Sequence, residues 1–302
     1  MSNSSANSST ANGSTGTIGF IGFGAMASRM GHNLREAGYQ IMAYTPSGKG
    51  GDGTTRFLPT PRALAEAAGT VLVCVPDDES LAKSLYGPDG ALAGMTKGAL
   101  LVNTSSVSPE ASAALAAAAG KQDVAVLDAP VSGSTPEAES GTLVVLVGGD
   151  AAVVARAQPI FDVIGKATIH AGPSGSGTKL KLVVNGIMGA GLAAVAEGVT
   201  YGLAAGLDRD MLFGALDSVA VISPHHKRKL KAARVGDFTP QFPTRLMQKD
   251  MRLLMTDAAR AEAPLATMAA TTQLLSLTRR THPDDDYSAL FAVLERTVAN
   301  SP

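Results

Sequence analysis

Residues 18–27 read Ile18-Gly19-Phe20-Ile21-Gly22-Phe23-Gly24-Ala25-Met26-Ala27, and this stretch decides the fold. A short β run, Ile18 to Ile21, precedes the turn, and a helical pattern from Ala25 to Ala37 follows it and stops at Gly38. The turn matches the pattern GxGxxG with an alanine in third place. In such a unit the first glycine permits a tight turn, the second lets a diphosphate approach the backbone, and a small third residue lets helix and strand pack closely.

The helix that follows this turn would present free amides and its positive dipole end to a phosphate group. The sequence therefore predicts a dinucleotide-binding turn formed by Gly22, Phe23, Gly24, Ala25 and Met26.

Beyond the turn, β runs alternate with helical stretches. The further β runs are Gln40 to Tyr44, Val71 to Val75, Ala99 to Val102, Val124 to Leu127, Leu143 to Val147 and Ala167 to His170. Helical stretches open at Thr60-Pro61 and cover Ser108 to Ala119 and Asp150 to Ile164. This alternation predicts an α/β Rossmann-type domain over residues 17–172, with helices on both faces of its sheet. Strand signals stop at about Pro173, so we expect an all-α domain over residues 173–302, joined through a long interdomain helix.

Composition limits the classes of function. The chain has 302 residues, 45% of them apolar and 17% charged, which suits two globular domains. Its formal net charge of -1 supplies no field for nucleic acid or an anionic membrane. The single cysteine, Cys74, lies in an apolar run, so we expect a core residue and a reducing, cytoplasmic location. Residues 1–16 are almost all small and polar, which predicts a disordered tail and not a signal peptide.

One long apolar run, Leu182 to Leu207, is long enough to raise the question of a membrane span. Asn185 and Glu197 interrupt it, and Lys179 and Lys181 precede its centre. These groups would be costly in lipid, whereas the many glycines and alanines suit close helix contacts in a protein core. The run therefore predicts a buried helix and no membrane partner.

The choice between NAD and NADP is usually decided about 20 residues after the glycine turn, where an acidic residue binds the ribose hydroxyls in NAD enzymes. Thr45 occupies that place, and Ser47 and Lys49 follow it. No carboxylate would repel a 2′-phosphate, which a hydroxyl and an ammonium group would contact. The sequence favours NADPH as cofactor over NADH.

Hydride transfer to a carbonyl needs a proton donor and groups that orient the substrate. Gly175-Ser176-Gly177 opens the long helix, and Lys181 and Asn185 lie on one face of it at i and i+4. Burial lowers the pKa of a lysine, which helps it to donate a proton to a developing alkoxide. Upstream, Asp128 to Ser134 follows a strand as a small polar turn, whose amides and hydroxyls suit a carboxylate.

Four motifs in this chain resemble those of the β-hydroxyacid dehydrogenases, which include 3-hydroxyisobutyrate dehydrogenase, tartronate semialdehyde reductase and the glyoxylate/succinic semialdehyde reductases. The motifs are Gly19 to Met26, Asp128 to Ser134 with Gly141-Thr142-Leu143, Gly175-Ser176-Gly177 with Lys181 and Asn185, and Lys249-Asp250 after Phe242. They occur in the family's order, and the resemblance covers about residues 17 to 295. The stretch from Ser132 to Gly141 is most similar to the glyoxylate/succinic semialdehyde reductase branch.

The resemblance implies NAD(P)-dependent interconversion of short hydroxy acids and aldehydes, with Lys181 as the proton donor and Asn185 beside the substrate. It implies substrate contacts from Ser132, Gly133, Ser134, Phe242 and Asp250. It implies cofactor contacts from Val75, Pro76, Ser106 and Lys249, in addition to the glycine turn and the Thr45, Ser47 and Lys49 loop. The Asn-Arg-Thr that NADP-using relatives often carry is Thr45-Pro46-Ser47 here, so the arginine is missing.

Several alternatives remain open on the sequence. The substrate is expected to be glyoxylate or succinic semialdehyde, with 3-hydroxyisobutyrate or tartronate semialdehyde as the alternative. A catalytically idle dinucleotide-binding protein and an imine reductase would both be expected to lack Lys181. The run His225-His226-Lys227-Arg228-Lys229 predicts a solvated helix face and not a metal or nucleic-acid site. The Gly- and Ala-rich helix makes a homodimer or homotetramer plausible.

Overall fold

The computed structural model describes residues 16–50 and 53–299, so the predicted disordered tail lies outside the described residues apart from Gly16. Nine strands form one sheet in this part of the chain. They are β1 Thr17–Ile21, β2 Gln40–Tyr44, β3 Arg56–Phe57, β4 Thr70–Val73, β5 Leu100–Asn103, β6 Ala125–Asp128, β7 Val131–Ser132, β8 Leu143–Gly148 and β9 Gly165–Gly172.

The strand order is β3-β2-β1-β4-β5-β6-β8-β7, with β9 also paired to β8. The strands from β3 to β6 are parallel, and β8 runs antiparallel to β6. The order reverses between β1 and β4, and such a switch point opens a crevice at the carboxyl ends of the strands. The turns after β1, β4, β5 and β6 therefore lie at one edge of the sheet.

Seven helices lie in the described part of the first domain: α1 Ala25–Glu36, α2 Pro61–Ala67, α3 Asp78–Leu85, α4 Ala91–Gly94, α5 Pro109–Gly120, α6 Thr135–Glu139 and α7 Ala151–Ile164. They pack on both faces of the sheet, as the alternating pattern predicts. One core contains Phe20, Met30 and Phe161, and the other contains Leu64 and Leu115. Cys74 is half-buried against the first of these cores.

The remaining helices are α8 Ser176–Ala204, α9 Arg209–Ser218, α10 Pro224–Arg234, α11 Thr244–Arg260, α12 Ala266–Thr281 and α13 Leu290–Ala299, with a 3₁₀ turn at Tyr287–Ala289. They form the predicted helical domain. The N-terminal end of α8 packs on β8, and the rest of α8 packs on α11, α12 and α13. Because α8 contacts both domains, it fixes any side chain on its first turns at their junction.

Among the described helices, only α8 is long and apolar enough to cross a bilayer by length and composition. One face of α8 is buried in the protein and carries Lys181 and Asn185. The opposite face exposes Val183, Ile187 and Tyr201.

The structure corrects three details of the strand prediction. The third predicted strand, Val71 to Val75, ends at Val73, because the amide of Val75 donates to Ser105 Oγ at 2.9 Å and leaves the ladder. β3 and β7 were not predicted, since two-residue strands are too short to show a period of two. Ser132 consequently lies in a short strand and not in a turn.

The interpretation of His225 to Lys229 as a solvated helix face is wrong for its last residue. Lys229 is 4% exposed and donates to Asp286 Oδ2 at 2.7 Å. The two histidines are half-buried and contact different elements: His225 Nε2 lies 2.6 Å from the Tyr287 hydroxyl, and His226 Nε2 lies 3.0 Å from the Met188 carbonyl. In the described ranges, no group of three or more potential ligands is arranged to hold a metal ion.

Candidate active site

The glycine turn fits a dinucleotide diphosphate. Gly22 has φ +82°, and a Cβ there would collide with the backbone carbonyl of Cys74, so a side chain is excluded. Gly24 is different, since a Cβ built on it meets nothing within 4 Å. The open space over Gly24 lies at the first turn of α1, where a diphosphate would bind.

The N-cap residue of α1, Gly24, also supplies no side-chain acceptor to the first amides of the helix. The side chains of Thr60, Asp77, Ser108 and Asp150 accept amide hydrogens at the starts of α2, α3, α5 and α7, but Gly24 supplies no such group. The first amides of a helix need an acceptor from outside the helix, and a phosphate oxygen is suitable. Phe23 packs its ring in the core 5.5 Å from the Phe20 ring, so only its backbone can contact a cofactor.

The loop after β2 closes on itself. Thr45 Oγ1 accepts the Lys49 amide at 3.1 Å and donates to the Lys49 carbonyl at 2.8 Å. Ser47 and Lys49 are exposed beside it. The structure therefore places the three residues predicted to contact the 2′-phosphate together, next to the end of the strand that neighbours β1.

Lys249 of α11 reaches across to the Rossmann domain. Its ammonium donates to the carbonyl of Pro76 at 2.8 Å and to the carbonyl of Ser106. The same ammonium lies 2.9 Å from Asp250 Oδ1. These contacts bring the loops after β4 and β5, including half-buried Val75, together with the helical domain, so the residues that the resemblance assigns to the cofactor in these loops lie close to Lys249.

Lys181 lies on the second turn of α8 and is 8% exposed. Burial lowers the pKa of its ammonium to about 8, although the carboxylate of Asp250 raises it, and Lys249 lowers it further. Within the described part of the chain, no protein acceptor forms a hydrogen bond or ion pair with this ammonium. A buried, unpaired ammonium with a pKa near neutral is suited to donating a proton to a ligand.

Asn185, one turn after Lys181, donates from Nδ2 to Asp250 Oδ2 at 2.6 Å. Its own Oδ1 is buried without a hydrogen-bond partner among the described residues. Buried polar atoms are nearly always paired in proteins, so an orphaned acceptor beside Lys181 is consistent with a ligand that donates a hydrogen bond there. Asp250 is itself 2% exposed, and it joins α11 to this face of α8.

Asp128, which the sequence analysis quoted without giving it a role, fixes the start of α8. Its Oδ1 accepts the Gly175 amide at 2.7 Å and its Oδ2 accepts the Thr178 amide at 2.8 Å. The same residue ends β6, just before the segment that carries Ser132. One carboxylate therefore ties the Lys181 helix to the predicted substrate-binding segment. An acidic residue at a strand end, ahead of a helix that lacks its own cap, was the signal available in the sequence.

The segment Ser132 to Ser134 faces the helical domain. Ser132 is half-buried and Gly133 is exposed. The amide of Ser134 donates to Glu137 Oε2 at 2.8 Å in a capping box of α6, and its hydroxyl donates to the Gln241 carbonyl at 3.2 Å. Phe242 is the residue after Gln241, and its ring lies 6.1 Å from the Tyr287 ring. Sequence reasoning missed Gln241, which contacts Ser134 through its backbone and has no local pattern.

Two family models match the chain. Residues 17–172 match the NAD binding domain of 6-phosphogluconate dehydrogenase, and residues 175–294 match the NAD-binding domain of NADP-dependent 3-hydroxyisobutyrate dehydrogenase.

Two reductases are among the similar curated proteins. Glyoxylate/succinic semialdehyde reductase 2 of Arabidopsis thaliana is 30% identical over 93% of this chain and 80% of its own length. The 2-hydroxy-3-oxopropionate reductase of Escherichia coli strain K12 is 32% identical over 92% of this chain and 97% of its own. Among solved structures, the 3-hydroxyisobutyrate dehydrogenase of Mycobacterium tuberculosis with L-serine is 25% identical, with a TM-score of 0.84 over 93% of this chain and 99% of the other.

Proposed function

Because the chain belongs to the β-hydroxyacid dehydrogenase family and is a nicotinamide-dependent oxidoreductase, we propose that it reduces short aldehydes bearing a carboxylate to hydroxy acids. Glyoxylate and succinic semialdehyde are the proposed substrates and NADPH is the proposed cofactor. When bound, the cofactor supplies the hydride.

The observation that carries the proposal is Lys181. Its ammonium is buried, has no protein hydrogen-bond partner in the described part of the chain, and has a pKa of about 8. In the proposed reaction it donates a proton to the aldehyde oxygen as the hydride arrives. Asn185 orients the same end of the substrate, and Asp250 holds the Asn185 amide in place at 2.6 Å. Ser132 and Gly133 hold the carboxylate.

Three alternatives are less well supported. With 3-hydroxyisobutyrate or tartronate semialdehyde as the substrate, only the identity of the acid would differ, since both are also short acids. A catalytically idle cofactor-binding protein would have no need for a buried, unpaired lysine with a lowered pKa, and burying a lysine without function is costly. The same lysine argues against an imine reductase.

A spectrophotometric screen tests the proposed substrate class. Glyoxylate, succinic semialdehyde and tartronate semialdehyde are offered with NADPH, and 3-hydroxyisobutyrate with NADP, against propionaldehyde as an aldehyde without a carboxylate. We expect kcat/KM for the best acid substrate to exceed that for propionaldehyde at least about 100-fold, because a charge-assisted contact to the carboxylate is lost in propionaldehyde. Equal values would show that Ser132 and Gly133 do not bind a carboxylate.

Cofactor choice is expected to depend on the Thr45 to Lys49 loop. We expect a KM for NADPH about tenfold below that for NADH, and a loss of most of this preference in Lys49→Ala, since one charge-assisted phosphate contact contributes about that much. Lys121→Ala is the control, because Lys121 is an exposed lysine at the end of α5. A preference for NADH in the wild-type chain would contradict the proposal.

We also propose that a second copy of the chain covers the exposed apolar face of α8, giving a homodimer or homotetramer. Val183, Ile187 and Tyr201 are 49%, 61% and 76% exposed on this face, and water contact with such a patch is unfavourable. Light scattering should give a mass of at least twice 30.6 kDa, and Ile187→Glu should lower the measured mass.

The single cysteine is consistent with a cytoplasmic enzyme.

A further inference from the structure

Residues 235–243 connect α10 to α11, and we call the second part of this connection, residues 238–243, the strap. The strap contacts the Rossmann domain: the Gln241 carbonyl accepts a hydrogen bond from the Ser134 hydroxyl at 3.2 Å. Phe242, a predicted substrate residue, is the next residue of the strap. The position of this backbone therefore decides how the helical domain meets the substrate-binding segment.

A buried carboxylate anchors the strap. Asp286 is 2% exposed, and its Oδ2 accepts the amides of Gln241 at 3.1 Å and Phe242 at 3.0 Å. Its Oδ1 accepts the amide of Ser288 at 3.1 Å and the Ser288 hydroxyl at 2.8 Å. The neighbouring amide of Tyr287 donates to the Phe242 carbonyl at 3.0 Å. The backbone at Gln241 and Phe242 is thus fixed through both its donors and an acceptor.

Lys229 supplies the positive charge that this carboxylate needs. Its ammonium donates to Asp286 Oδ2 at 2.7 Å and to Gln241 Oε1 at 3.4 Å, and it lies 5.4 Å from the centre of the Tyr287 ring. Both members of the pair are buried: the Lys229 side chain is 6% exposed and the Asp286 side chain is 3% exposed. Lys229 therefore contacts the strap through Gln241 as well as through Asp286.

A buried ion pair is poor evidence for stability, since apolar residues of similar volume often stabilise a protein as well or better. Apolar residues cannot, however, accept two backbone amides of the strap. The desolvation cost of Lys229 and Asp286 is therefore better explained by what the pair fixes than by its net contribution to folding. What it fixes is the backbone that contacts Ser134.

We propose that Lys229 and Asp286 are positioning residues that hold the strap on the substrate-binding segment and thereby set the KM for the acid substrate. Both side chains are buried against each other, and neither residue is among those predicted to contact substrate or cofactor. The inference rests on the proposed function in one respect, namely that Ser132 to Ser134 bind the acid. It adds that the affinity for the acid is controlled from the helical domain, through Gln241 and Phe242.

The test separates substrate binding from the other kinetic steps. Lys229→Met keeps the length of the side chain and removes its charge, so we expect the KM of the acid substrate to rise about tenfold while kcat and the KM of the cofactor change less than about threefold. Lys229→Arg keeps the charge and should restore a KM close to that of the wild type. Lys231→Met is the matched control, because Lys231 lies on the same helix, is 66% exposed and pairs only at the surface with Asp217.

A double-mutant cycle tests whether the buried pair acts through the strap. Ser134→Ala removes the far contact of Gln241, so it and Lys229→Met should be non-additive in the KM of the acid substrate. If Lys229→Met does not fold, Asp286→Asn, whose neutral oxygen is a weaker acceptor for the Gln241 and Phe242 amides, replaces it in the cycle. A lowered Tm with an unchanged KM, or strictly additive effects, would overturn the proposal.

The measurement uses whichever short acid or aldehyde the screen identifies as the best substrate. A failure of the proposed substrate class would appear as a different best substrate in the wild-type chain. A failure of the strap proposal would appear as an unchanged KM in the variants, so the two are distinguishable.

Discussion

Lys181→Met is expected to lower kcat for aldehyde reduction by about 10³-fold, within the range typical of a lost general acid. Methionine keeps the unbranched chain and the burial of Lys181 but carries no proton to donate. The KM of the cofactor should stay within about twofold, because the diphosphate is expected to bind at the glycine turn and not at α8. Lys179→Met is the matched control, since Lys179 lies on the same helix and is exposed.

The pH profiles of the wild-type chain and of Lys181→Met give an independent check. Because the pKa of Lys181 is about 8, the ammonium form dominates below pH 8 and is lost above it. The rate of reduction should therefore be level below about pH 8 and fall as the pH rises, whereas oxidation of the hydroxy acid, which needs the neutral amine, should rise with pH. Lys181→Met should lose this dependence. A kcat within tenfold of the wild type would mean that another group donates the proton.

Much of this fold can be predicted from local sequence patterns. The glycine turn, the alternation of β runs with helical stretches and the capping pair Thr60-Pro61 each depend on residues close in sequence, and the structure agrees with them. Lys181 and Asn185 could be paired because a helix places i and i+4 on one face. The apolar run around them predicted a buried helix but not which side is buried, since Val183 and Ile187 on the opposite face are exposed.

The rest of the site depends on contacts between residues distant in sequence, which no local period reports. Lys249 reaches the Pro76 carbonyl across 173 positions of sequence, and Asp128 accepts the Gly175 amide across 47. Lys229 stands in a run of five polar residues that predicts a solvated face, yet Asp286, 57 positions later, provides its buried partner. Such errors are expected where a tertiary contact compensates the burial of a charge.

Gly24→Val is expected to raise the KM of the nicotinamide cofactor by about 100-fold, which corresponds to the loss of about 3 kcal/mol of binding free energy. The fold should tolerate this change, because a Cβ at Gly24 meets nothing within 4 Å and the backbone there has φ −80° and ψ −163°, which valine adopts. The loss of glycine at the N-cap of α1 should cost only about 1 kcal/mol of stability. The methyl groups would instead fill the space over the uncapped amides of α1, where the diphosphate is expected to bind.

Gly22→Ala distinguishes a defect in binding from a defect in folding. At Gly22 the backbone has φ +82° and a Cβ would collide with the Cys74 carbonyl, so even one methyl group must displace β1 or β4. This variant should therefore lower the Tm and weaken cofactor binding together, whereas Gly24→Val should weaken binding with a nearly unchanged Tm. Isothermal titration with the oxidised and reduced cofactors, alongside thermal unfolding of both variants, measures the two effects separately. Wild-type affinity in folded Gly24→Val would place the diphosphate away from this turn, and the amides at the start of α1 would then need another acceptor.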